Sequence, residues 1–144
     1  MSTALFAGTW NLISSEMRAA SGEILYPLGE DCAGRIIFDS AGNFAAQLMR
    51  RDRPAFASGD IVRGTDEVIR AAYQGYVAFW SKINVDEAKK EITYEVEGSL
   101  FPNWIGHSNL RHYEFKGNRL TLKTPPFVMA GRELTGVLVW ERVS

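Results

Sequence analysis

Along nearly its whole length the chain repeats one device: a short run in which apolar and polar side chains alternate, closed by a turn carrying glycine or asparagine. Alternation with period two sends successive side chains to opposite faces of a β-strand. The runs are rich in β-branched and aromatic residues, which suit a pleated, half-buried surface. This pattern predicts strands over 9–18, 23–26, 34–39, 43–50, 76–85, 90–99, 107–116, 119–124 and 133–142. Ser40-Ala41-Gly42-Asn43, Asp86-Glu87-Ala88-Lys89 and Lys116-Gly117-Asn118-Arg119 read as hairpin turns, with Gly or Asn available where φ must be positive. Such tight connections imply antiparallel, meander-like pairing and an all-β fold. A sandwich and a closed barrel both satisfy it, and closure has the advantage of removing exposed sheet edges.

One segment departs from this rhythm. After an irregular stretch over 51–64, Val68, Ile69, Ala72, Tyr73 and Tyr76 recur at helical spacing. A short helix is predicted there, with Thr65 or Asp66 as cap and Gly75 as stop. Long connections in compact domains are often lids or binding elements, so the loop and helix are expected to cover one mouth of a barrel; the alternative is a helix laid on the outer wall.

At 144 residues, 46% of them hydrophobic, the chain suits a single domain over 1–144 that buries roughly 70% of its unfolded surface. A net charge of −1, from 16 basic and 17 acidic residues, gives no broad field of the kind nucleic acid or an anionic membrane selects, and neither is expected as a partner. The lone Cys32 has no internal disulfide partner, and the opening residues lack a basic segment followed by an apolar run. A cytoplasmic location is therefore expected. Oligomeric state is not legible.

The strand predicted over 107–116 carries the candidate chemistry. His107, Asn109, Arg111, Tyr113 and Phe115 share one face, a column graded from ionisable to aromatic. A solid core would not take these polar groups without partners, whereas the wall of a polar-mouthed, apolar-floored cavity would. Val77, Phe79, Ser81, Ile83 and Val85 share a face on another strand, as do Leu120 and Leu122, and the last strand offers either Val137 and Val139 or Leu138 and Trp140. The lining is thus expected to be mainly hydrophobic, with a few polar groups for orientation. In the strand over 90–99, Ile92, Tyr94, Val96 and Gly98 form the apolar phase and Glu97 points outward unless a bulge near Gly98 turns it in.

Metal and cofactor chemistry lack support. His107 and His112 sit five apart and so face opposite ways, and no nucleotide loop or Gly-x-Ser-x-Gly elbow is present. No metal and no cofactor are expected. What remains is acid–base or electrostatic catalysis by His107, Tyr113 and Tyr94, with Arg111 holding a carboxylate, enolate or phenolate. The plainer account makes Arg111 the partner of an internal Glu97 or Glu16, and His107 a solvated residue at a strand start.

Gly8-Thr9-Trp10, Pro27-Leu28-Gly29, Gln47-Leu48-Met49-Arg50 with Asp52-Arg53-Pro54, Glu97-Gly98-Ser99-Leu100-Phe101-Pro102-Asn103-Trp104, Arg111, Leu120-Thr121-Leu122-Lys123-Thr124-Pro125-Pro126 and Val139-Trp140-Glu141-Arg142 resemble the small lipocalin-like domain family of bacteria and fungi. The resemblance spans nearly the whole chain. It implies a meandering barrel of eight or nine strands with an internal ligand cavity, in a family whose members occur beside secondary-metabolite and polyketide pathways. Similarity to true lipocalins further implies that Trp10 closes the barrel floor against Arg142. The expected ligand-binding set is Asn109, Gln47, Met49, Arg53, Tyr73, Phe79, Trp80, Glu97, Phe101 and Trp104. Two functions follow: binding of a small hydrophobic or aromatic, polyketide-like metabolite, or its isomerisation, cyclisation or dehydration without a cofactor.

Overall fold

The computed structural model describes residues 3–144. Ten strands, β1 (Gly8–Ala19), β2 (Ile24–Leu25), β3 (Cys32–Phe38), β4 (Asn43–Arg50), β5 (Tyr76–Asp86), β6 (Glu91–Ser99), β7 (Ser108–Lys116), β8 (Arg119–Lys123), β9 (Phe127–Met129) and β10 (Arg132–Arg142), lie in one antiparallel sheet. The order is β2-β1-β3-β4-β5-β6-β7-β8-β10-β9, and pairing of β1 with β10 closes it. Eight strands make the barrel; β2 and β9 are short additions at one end. The nine expected strands are all present, and β9 is the one the alternation did not reveal, because three residues after a Pro-Pro pair carry too little periodicity to register.

The registers place the hairpin turns at 39–42, 87–90 and 117–118 at one end, which is closed by aromatic packing. There Phe6 meets Phe38, Tyr113 and Phe115 at centroid distances of 5.2, 4.9 and 4.9 Å. Trp10 donates from Nε1 to the Phe6 carbonyl at 2.9 Å, and the Arg142 guanidinium lies 4.2 Å from the Trp10 ring. Arg142 also donates to the Ala7 and Leu5 carbonyls, at 2.7 Å each. The floor is therefore fastened to the last strand, as the Trp10–Arg142 expectation held.

Two bulges set which side chains face inward. β1 and β10 slip register between Leu12 and Ser14, so Trp10 and Leu12 face in below the slip and Ser15 and Met17 above it. β5 and β6 slip at Trp80/Ser81, where Trp80 pairs with Gly98 and Ser81 with Val96. Glu97 is the extra residue and stays exposed, and Gly98 is carried to the outer face rather than the inner one expected from simple alternation. Trp80 lies flat over it: a Cβ on Gly98 would stand 2.2 Å from the indole.

The helix α1 (Asp66–Gln74) begins and ends as its sequence dictates, with the Thr65 side chain accepting from the Val68 N–H and Gly75 as C-cap. It connects β4 to β5 at the open end of the barrel. Phe56 of the preceding loop and Val68 both close around Gly64, no helical residue is buried, and Arg53 ties the C-terminal turn to the barrel's outer face through the Ala72 carbonyl and the Tyr76 ring. Only Gln74 of this segment reaches the lumen. Among the described residues no helix is long and apolar enough to cross a membrane.

Candidate functional site: the barrel lumen

The open end holds a cavity of about 460 Å³, within the ordinary range of small-molecule sites, about 300–1,000 Å³. Its walls follow from strand phase. β4 presents Phe44, Ala46 and Leu48; β5 presents Val77 and Phe79; β8 presents Leu122; β10 presents Leu138 and Trp140. The last strand thus adopts the Leu138/Trp140 phase. The mouth is bordered by Pro27, Trp104, Pro125, Pro126, Phe127 and Met129. Leu28 is buried on the wall, and its turn is held by Arg50, which donates to the Pro27 carbonyl and pairs with Asp52 at 2.9 Å.

Against this apolar surround stand a few polar groups on neighbouring strands. Tyr94 of β6 and Asn109 of β7 are directly paired across the sheet, and Arg111 lies one inward position deeper. The Tyr94 ring stacks on Phe44 at 4.5 Å and 10°, with the Arg111 guanidinium 5.7 Å from its centroid. The Tyr94 hydroxyl, the Asn109 Nδ2 and the Trp140 Nε1 are buried without a hydrogen-bond partner among the described residues. Arg111 donates from Nη1 to the Leu110 carbonyl at 2.8 Å, and among the described residues no carboxylate lies within ion-pairing distance of it. Loss of water around the guanidinium pushes its pKa down, with Tyr94 opposing the shift. Burial pushes the Tyr94 hydroxyl well above its ordinary value. All four groups can donate hydrogen bonds, and no histidine or carboxylate lines the cavity among the described residues.

The structure brings five expected site residues to this lumen: Tyr94, Asn109, Arg111, Phe79 and Trp104. It separates the others. His107 precedes β7 and is exposed at the mouth, outside the lining, since the strand begins one residue later than expected. Tyr113 faces inward but is absorbed by the floor cluster with Phe6 and Phe115. Gln47 and Met49 occupy the outward phase of β4; Gln47 accepts a hydrogen bond from Tyr76 on the outer wall. Arg53 is also outside, its Nη2 3.6 Å from the Met49 sulfur. Tyr73 and Trp80 are exposed, as is Glu97. Phe101 is exposed too and meets the lumen only through its edge contact with Trp104 at 5.7 Å. Neither Glu16 nor Glu97 partners Arg111; Glu16 pairs with Arg18. On β4 the expectation fell on Gln47 and Met49, and the lumen takes the opposite phase, Phe44, Ala46 and Leu48, which the apolar alternation of that strand could have signalled; Pro125 to Met129 carried no signal of a mouth.

A model of the lipocalin-like domain matches residues 7–143. The chain belongs to the lipocalin-like domain family. It is also similar to the 4'-hydroxy-3'-methoxypropiophenone carrier protein of Aspergillus oryzae, at 32% identity over 106 residues covering 69% of this chain and 96% of the carrier.

Proposed function

We propose that the chain is a carrier that takes a small, hydrophobic aromatic metabolite of polyketide type into the barrel lumen. The observation that bears the reading is the pairing of an apolar cavity with buried donors, Tyr94, Asn109 and Trp140, that have no partner among the described residues. Each such donor costs about 1–3 kcal/mol while unsatisfied, and an acceptor on a ligand removes that cost. Apolar walls would supply affinity and the donors orientation. The similar carrier is named for an aromatic ketone bearing a phenol, a molecule with acceptors at both ends of a planar ring. Carriage is favoured over catalysis because His107, the expected general base, stands outside the lining, and proton abstraction requires a base within hydrogen-bond reach.

Titration of 4'-hydroxy-3'-methoxypropiophenone against intrinsic fluorescence tests this, since Trp104 and Trp140 line the cavity. Saturable one-to-one quenching is expected, weakened at least tenfold by Ala46→Phe, which fills the lumen from β4. Unsaturable quenching, or saturable quenching indifferent to the blocked lumen, would sink the proposal. Unchanged ligand recovered after long incubation is expected of a carrier; a converted product would move the reading to an enzyme.

A further inference from the structure

We propose, resting on the carrier reading above, that the lumen selects its ligand as an anion: an acylphenol bound as its phenolate, with the charged oxygen on the Arg111 guanidinium. A cation withdrawn from water in an apolar cavity is costly unless a counter-charge and hydrogen bonds meet it. The protein supplies neither in full. Arg111 spends Nη1 on the Leu110 carbonyl, and its other N–H groups have no hydrogen-bonded acceptor among the described residues.

The charged groups on the flanking strands are occupied elsewhere. On β6, Glu91 lies by His112 at 3.8 Å on the outer face, and Glu95 accepts from Ser108; Tyr94 alone faces Arg111 from that strand, as a neutral hydroxyl. On β7, Tyr113 is held in the floor with Lys90 5.9 Å from its ring, and His107 is at the mouth. On β8, Lys123 is exposed. Among the described residues the lumen therefore carries one positive charge without an ion-pair partner, flanked by the Tyr94 and Asn109 donors. A carboxylate would satisfy the charge as well, but the aromatic walls formed by Phe44, Phe79 and Trp140 suit a ring whose own oxygen is the anion. An acyl group para to a phenol delocalises the phenolate charge and eases its formation; the released proton passes to bulk water.

The test uses 4'-hydroxypropiophenone and its methyl ether, 4'-methoxypropiophenone, which cannot ionise. Phenolate formation moves the absorbance of the first to longer wavelength, so its ionisation can be followed bound and free. In the wild-type protein the apparent pKa of the bound phenol is expected to fall by at least one unit, equivalent to about tenfold tighter binding of the anion. Above that pH the phenol is expected to outbind the ether by a similar factor. Arg111→Gln should abolish the shift and close the gap between the two probes. Equal binding of phenol and ether with no shift overturns the anion inference and leaves the carrier reading standing. A shift that survives in Arg111→Gln overturns the role of Arg111. Failure of both probes to bind overturns the inference and the carrier reading together.

Discussion

Tyr94→Phe separates what the lumen costs the empty protein from what it gives the loaded one. The hydroxyl is fully buried and unpartnered, so removing it leaves no donor or acceptor orphaned elsewhere. The ring keeps its stack on Phe44 at 4.5 Å and its contact with Phe79 at 5.6 Å, and the change in volume is a single oxygen. A buried unsatisfied polar group costs about 1–3 kcal/mol, and water entering the lumen offsets part of that. A net gain of about 1 kcal/mol is expected for the empty protein, or about 2–4 °C in Tm for a chain of this size. Thermal and urea unfolding of the ligand-free variant measure it. Binding should move the other way, because one hydrogen bond to the ligand is lost, worth about 0.5–1.5 kcal/mol, or roughly two- to tenfold in Kd. Loss of stability by more than about 1 kcal/mol with unchanged binding would refute the reasoning, since the hydroxyl would then have a structural partner and no ligand.

Three further outcomes follow from the frame around the lumen. Gly98→Ala should cost about 1–3 kcal/mol by forcing Trp80 off the strand, and a double-mutant cycle with Trp80→Ala should recover most of the loss if that contact is the cause. Arg142→Ala removes two charged hydrogen bonds and the contact with Trp10; about 2–4 kcal/mol of stability should be lost in urea melts. Stability should decline as pH rises past about 9: Cys32 and Tyr94 are held above their ordinary values of 9.0 and 10.0 by burial. The unfolded chain therefore releases their protons first, and the folded state loses advantage. Equilibrium unfolding between pH 7 and 10.5 checks the sign, and a rise in stability over that interval would contradict it.

Much of the barrel was legible because the period-two alternation reports strand faces directly. The Leu120-Leu122 phase, the cap at Thr65 and the Trp10–Arg142 floor contact follow from local pattern or from resemblance, whereas on β4 the expected Gln47 and Met49 face out and Phe44, Ala46 and Leu48 face in. What alternation cannot report is a bulge, because one extra residue inverts every facing beyond it. Ser15 and Met17 enter the lumen above the slip in β1, and Gly98 leaves it beyond Glu97, for this reason. The polar column is divided by depth: Asn109 and Arg111 face the cavity, while Tyr113 lies deeper, in the floor, and His107 farther out, exposed at the mouth. Depth along a strand depends on where the floor cluster ends, and that depends on Phe6, which reaches the floor from outside the sheet. Gln47, Met49 and Arg53 belong to a motif that fastens the helix and outer wall rather than the lumen.

The most direct measurement is a crystal structure of the protein with a hydroxyphenyl ketone bound. The ring is expected inside the barrel between the β4–β5 and β8–β10 walls, with its phenolic oxygen within hydrogen-bond distance of Arg111. Electron density for the ketone on the outer wall near Arg53 and Tyr76, or in the lumen with Arg111 turned to a carboxylate of the protein, would contradict it.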